Sequence, residues 1–224
     1  MRGEVEVART HVRAAIDAKR EAGELVEAAS MAQAMAFVET RAGDIAAAER
    51  VLRTGIAELE EVGNVSYRGT SCLMLARLLA RQGTIDEAAH WCSVARQTMT
   101  DDDLVDVVMI NAVEGLVAAH RGDPAEAEQL TAWAIEVAAT IDFYETKADG
   151  FEFRARPLAL AGKQEQARKA AATALAIHEA KGDQPPQLGG SGSSSTRSPR
   201  DSARSGRADD RPHSTTGQHN EVGR

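Results

Sequence analysis

The sequence predicts an all-helical chain built from repeated helix hairpins, and three observations carry that prediction. Five glycines, Gly3, Gly43, Gly83, Gly122 and Gly162, recur at intervals of 40, 40, 39 and 40 residues. Small residues keep fixed distances from them. Ala8, Ala48, Ala88, Ala127 and Ala167 lie five residues after, Ala15, Gly55, Ala95, Ala134 and Ala174 twelve after, and Ala36, Ala76, Gly115 and Ala155 seven before the last four glycines. No segment of the 224 residues sustains the two-residue alternation of a strand. A glycine lets the chain reverse between two helices, and small residues on both sides of it let those helices approach closely.

Taken in order, residues 1–22 read as the second helix of an incomplete hairpin, because Gly3 and Ala8 match a turn and its following helix with no first helix before them. An upstream start, a gene fragment or a truncated paralogue would each account for this. Residues 23–183 read as four hairpins. In the second helix of the first, Ala48, Leu52, Ile56 and Leu59 step by threes and fours along one stripe, with Glu49, Arg50, Arg53, Thr54 and Glu60 around it. Gly63 and Gly182 stand where helix C-termini are capped. Thr84 with Glu87 forms a capping-box pattern, and Asp123-Pro124 supplies an N-cap followed by proline at the first helical position. Pro157 lies five residues before its turn glycine, where it should kink the last first-helix, and Arg154 and Arg156 make that helix the least regular. From 184 to 224 the chain turns rich in Ser, Gly, Pro and Arg with almost nothing large to bury, which predicts a disordered tail.

The order of small residue, glycine seven on, alanine five further and a second small residue seven beyond resembles the tetratricopeptide repeat, from Gly3 to about Lys181. The resemblance implies a right-handed α-solenoid whose first helices line a concave groove that takes a protein or peptide partner. The common form of that repeat is about 34 residues, so the longer period implies longer helices or loops. HEAT-type repeats share the length, but the glycine-to-alanine turn pattern favours the tetratricopeptide form. More narrowly, ETRAGDIAAAERVLRTGIAELEEVGN, LARLLARQGTIDEAAHWCSVARQ and AHRGDPAEAEQLTAWAIEVAATIDF resemble the C-terminal repeat region of actinobacterial-type adenylate/guanylate cyclase-like signalling proteins. There a cyclase domain and a nucleotide-binding ATPase domain precede the repeats. The sequence has no GxxxxGK[ST] loop and no room for a cyclase fold, so no catalytic residue of that family carries over.

Composition narrows the function classes. An apolar content of 43% with only 4% aromatics implies a core of Ala, Leu, Val and Ile, suited to closely packed helices. Residues 1–183 carry 20 basic and 30 acidic side chains, a charge that repels nucleic acid and anionic membrane. No apolar run approaches the roughly 18 residues that a membrane span needs, and the N-terminal residues lack a hydrophobic signal region. Cys72 and Cys92 are too few for a disulfide framework and lack zinc-site clustering, so they read as buried small hydrophobes in a reducing, cytoplasmic setting.

No catalytic, metal or cofactor constellation is expected. His11, His90, His120 and His178 lie at scattered helix phases without ligand partners, and Asp101, Asp102 and Asp103 precede an apolar helical run as caps would. Trp91 and Trp133 read as packing residues. Positions six and two residues before the turn glycines should face the concave groove. Of these eight positions before the last four glycines, all but Leu160 are the candidate partner contacts, Phe37, Arg41, Arg77, Arg81, Leu116, His120 and Arg156, with an arginine strip that either suits an acidic segment or simply complements the macrodipole at helix C-termini. The expected function is a non-enzymatic protein–protein interaction scaffold, a fragment or paralogue of a larger signalling protein, with exposed solenoid ends offering a route to self-association. The alternative is a detached repeat region of a cyclase-like or ATPase-linked transcriptional regulator, acting only within that assembly.

Overall fold

Helix hairpins follow one another along the chain in a computed structural model that describes residues 2–98 and 103–181. Gly182, Asp101, Asp102 and the tail at 184–224 lie outside the described residues. The elements are α1 (Arg2–Glu21), α2 (Leu25–Ser30), α3 (Ala32–Ala42), α4 (Ile45–Glu61), α5 (Val65–Gln82), α6 (Ile85–Arg96), α7 (Leu104–His120), α8 (Pro124–Thr140), α9 (Tyr144–Leu160) and α10 (Gln164–Ala180), and no strand occurs among the described residues. The first helix of the first full hairpin comes in two pieces. Met31 separates α2 from α3 with its backbone still helical, next to Ser30, whose hydroxyl donates to the Glu27 carbonyl.

Six of the reversals rest on a glycine at a φ that side chains would strain, whereas α8 passes into α9 through Ile141, Asp142 and Phe143 without one. Gly43 and Gly83 sit at φ 78° and 86° as left-handed caps, and behind them Asp44 and Thr84 donate their N–H to the carbonyls of Glu39 and Leu79. Gly63, Gly122 and Gly162 share the positive φ. Gly3 does not. It lies inside the first turn of α1, where residues 4–21 continue the helix and no reversal is needed.

The next helix then starts on a side-chain cap at Asp44, Asn64, Asp103 and Asp123, each carboxylate or amide oxygen accepting a backbone N–H two or three residues on. Asp123-Pro124 behaves as its sequence predicts. The capping box at Thr84 does not form, because Glu87 is drawn away to the Arg53 guanidinium of α4 at 2.6 Å. Helix α9 runs through Pro157 without interruption, with that ring buried.

Each second helix, α4, α6 and α8, packs on its own first helix and on the first helix of the next hairpin. This is the tetratricopeptide-like α-solenoid that the spacing predicts. Its core is a continuous set of aliphatics, Leu52, Ile56, Leu73, Leu79, Val113 and Leu116, interleaved with Ala48, Ala76, Ala88, Ala95 and Ala134 at the repeated small positions. Ala8, Ala15 and Ala155 are only half-buried. Helix α1 packs on α2 and α3 and is tied to α4 by the Arg20–Glu58 ion pair, and its stripe Val5, Ala8, Val12, Ala15 and Ile16 stays half-buried throughout.

Two helix interiors are pressed so close that only glycine fits. A Cβ on Gly55 would overlap Ala32, and one on Gly115 would lie 2.6 Å from Thr131 Cγ2. Both are repeat-defining small positions, where helix propensity is given up for close approach.

Candidate functional site

First helices α3, α5 and α9 face a common cleft whose floor is completed by α10. It encloses about 40 Å³, space for a few waters, between Phe37, Thr40 and Arg41 on α3, Met74, Arg77 and Arg81 on α5, Glu145 and Asp149 on α9, and His178 on α10. Small residues put these helices within reach of one another: Ala36 of α3, Ala76 of α5 and Ala148 of α9 are all at most 2% exposed.

Four of the seven groove residues expected from phase therefore line one cleft: Phe37, Arg41, Arg77 and Arg81. Phe37 is 39% exposed, and the Arg41 guanidinium lies 5.2 Å from its ring centroid, a cation–π pair at the edge of the cleft. Leu116 is not a groove residue. It is fully buried in the core, because α7 is covered on both sides by α5 and α9 as well as by α8. His120 is exposed at the end of α7, away from the cleft lining.

The arginine strip is also not open as the sequence suggests. Arg77 Nη1 donates to Asp149 Oδ2 at 2.5 Å, and Arg81 pairs with Asp149 while its Nε and Nη2 hold Glu152 at 3.0 and 2.8 Å. Arg156 turns away, donating to the backbone carbonyls of Ala80 and Arg81 at 2.7 and 2.9 Å. Burial favours a neutral Asp149, but Arg77 and Arg81 outweigh it and hold its carboxyl below the usual carboxylate range. Burial likewise works against the Arg81 charge, and Asp149 and Glu152 more than restore it. Arg156 is shifted the other way, chiefly by burial.

The acids on α9 were missed in the sequence, although a signal was there. Glu145, Asp149 and Glu152 are four and three residues apart, one stripe on a helix, and Asp149 stands thirteen residues before Gly162 where the other hairpins hold Ser30, Thr70 and Met109. His178, at a helix phase that gives it no ligand partner in the sequence, belongs to the cleft. It is 6% exposed on the cleft floor, and its Nδ1 has no hydrogen-bond partner among the described residues.

Other titratable groups lie apart. Cys72 and Cys92 are buried and unpaired in disulfides, and burial pushes their thiols up to about 11 and about 12, far from a reactive thiolate. Among the described residues, no three His, Cys, Asp or Glu side chains come together as metal ligands, and no helix is long and apolar enough to cross a membrane. Trp91 packs against the core, whereas Trp133 is 42% exposed.

Asp103 caps α7 while Asp106, one turn on, is 8% exposed, and burial followed by the Asp103 charge pushes its carboxyl up to about 7. The folded chain thus binds a proton that the unfolded chain releases near pH 4, so this group's contribution falls as pH rises from about 4 to 7. Asp106→Asn is expected to match the wild type near pH 4 and to be more stable by up to about 4 kcal/mol near pH 8. Urea denaturation at the two pH values checks this.

No family model and no curated protein sequence matches the chain. Among solved structures, the chain is similar to BtubC (BKLC) from P. vanneervenii, with 16% identity and a TM-score of 0.56 over 88% of this chain and 82% of that one. Two structures of a Podosopora anserina protein, described as a kinesin light chain with nearly identical TPR-like repeats, align at 17% and 18% identity. They cover 81% and 82% of this chain and 95% and 97% of those chains, with TM-scores of 0.45 and 0.43. The likeness to BtubC is one of fold.

Proposed function

We propose that the chain is a non-enzymatic interaction scaffold that receives a protein partner in the cleft between α3, α5, α9 and α10. The observation that carries this reading is the Phe37–Arg41 pair at the cleft edge. A half-exposed aromatic under a guanidinium, beside a small hollow, combines side-chain types that are enriched at protein interfaces. Cytoplasmic residence fits two free, unreactive cysteines. In this reading residues 1–22 form the second helix of an incomplete hairpin and 23–183 the four hairpins that build the cleft.

Phe37→Ala combined with Arg41→Glu tests it. Both side chains are on the surface of α3, so the melting temperature should stay within a few degrees of wild type, whereas recovery of the native partner by affinity purification should fall by about tenfold or more. Equal recovery with both proteins would sink the cleft as the partner site.

A second reading, that the chain works as the repeat region of a cyclase-like or ATPase-linked regulator, is supported by the resemblance of its turn segments and by the half-buried apolar stripe of α1, which a further helix would cover. Under it, the purified partner carries a cyclase or nucleotide-binding ATPase domain. Assemblies of the chain alone would instead favour self-association through that stripe.

A further inference from the structure

Helices α5 and α9 belong to hairpins that are not neighbours, and no Cα of one lies within 8 Å of a Cα of the other. Side chains join them. Arg77 and Arg81, one turn apart on α5, meet Asp149 and Glu152, three residues apart on α9, and Arg156 of α9 reaches back to the last turn of α5. The ions at the centre are withdrawn from water, with side-chain exposures of 5% for Arg81 and 4% for Asp149, while Arg77 and Glu152 at 20% and 23% sit where solvent can enter. Arg81 also lies 5.6 Å from the Phe153 ring centroid, which fixes the plane of its guanidinium.

We infer that this network is a clasp, and that Arg77 and Arg81 form a docking site for a pair of carboxylates one helical turn apart, filled within the chain by α9 itself. The inference rests on the cleft being the partner site, and it names the partner's chemistry: an acidic helix. Three features support it.

The first is geometry. An arginine fork takes a carboxylate through two parallel bonds, as Arg81 takes Glu152, so the site already displays the arrangement that it recognises. The second is energetics. An isolated buried arginine is costly, but exchanging one carboxylate for another keeps Arg77 and Arg81 paired at every stage, so an incoming acid need overcome only the opening of the clasp. The third is what surrounds the clasp. No backbone packing locks α5 to α9, Arg41 and Thr40 face the same hollow from α3, and His178 brings an imidazole nitrogen without a partner from α10. The cleft thus gathers Arg41, Arg77 and Arg81 in a body whose overall charge is negative.

The clasp would make binding self-limiting. Asp149 and Glu152 compete with the partner for the same guanidinium groups, so weakening them should tighten binding rather than loosen it, the opposite of what a plain contact residue does.

The test uses the full chain as wild type, Glu152→Gln and the double variant Asp149→Asn with Glu152→Gln. The probes are a fluorescent alanine-based helical peptide with two glutamates three residues apart and its glutamine counterpart. The double variant should bind the glutamate peptide about tenfold tighter than wild type, with affinity falling as salt rises, and the glutamine peptide should not bind. Circular dichroism establishes that each protein is folded. Should the double variant unfold, Glu152→Gln, which changes a side chain that is itself 23% exposed, carries the test with an expected gain of about threefold. Folded variants that bind the glutamate peptide no better than wild type would overturn the clasp. That failure is separable from failure of the scaffold reading, since loss of the native partner on changing Phe37 and Arg41 is measured independently.

Discussion

Replacing Arg81 with alanine is expected to cost about 3–5 kcal/mol of folding stability, the range for removing one partner of a buried ion pair. The reason lies in what stays behind. Asp149 remains buried at 3% exposure with only Arg77 to balance it, Glu152 loses both bonds to Arg81, and Phe153 loses the cation over its ring. Arg81→Lys restores the charge but not the planar fork, and should recover only part of the loss.

The pH dependence separates this from a packing defect. Asp149 is held below the usual carboxylate range by Arg77 and Arg81, so its stabilisation is present above the unfolded value of about 3.9 and is lost as pH falls through the folded one. The gap between wild type and Arg81→Ala should therefore be widest near neutrality and shrink below pH 4. Urea denaturation followed by circular dichroism at pH 7 and pH 3 reads both quantities, and a gap that does not change with pH would assign the loss to packing alone.

The second large effect is expected at Gly115. In an ordinary helix, glycine to alanine gains up to about 1 kcal/mol of propensity. Here the sign should invert. The new Cβ would stand 2.6 Å from Thr131 Cγ2 and 3.2 Å from the Ala127 carbonyl oxygen, and Thr131 cannot swing aside because it is 1% exposed and its hydroxyl donates to that same carbonyl at 2.8 Å. Gly115→Ala should lose about 1–3 kcal/mol, the usual cost of overpacking, and Gly115→Val should lose more. Thermal melts of the two variants check the order, and a stabilised Gly115→Ala would mean that α7 and α8 stand further apart than described.

How much of this was legible beforehand depends on the range of the interaction. The turn glycines announce themselves because a positive φ is a local demand that only glycine meets cheaply, and Gly43, Gly83, Gly122 and Gly162 all carry one. The small residues at minus seven, plus five and plus twelve report contact between helices adjacent in sequence, and Ala76, Ala88 and Ala95 are fully buried as that pattern requires. Local signals failed where a tertiary partner outbid them, as when Glu87 left the Thr84 cap for Arg53.

The cleft was half legible for the same reason. Helix phase put Phe37, Arg41, Arg77 and Arg81 on one face, but it could not tell that the solenoid bends enough for α9 to reach across to α5. The pairings that result span 68 to 76 residues, beyond the reach of any repeat-period argument. Leu116 was misplaced because its phase matches the groove while the helices on both sides of α7 close over it. Charge complementarity between the acidic stripe of α9 and the arginines of α5 is the one trace of this contact that the sequence carries.

The central claim is that a partner is received in the concave cleft, and hydrogen exchange of the native-length chain, alone and with the partner that co-purifies with it, tests it most directly. New protection is expected in α3 and in the last turns of α5, around Phe37, Arg41, Arg77 and Arg81, together with a change in α9 as the clasp opens. Protection confined to the outward helices α4, α6 and α8, with α3, α5 and α9 unchanged, would contradict it.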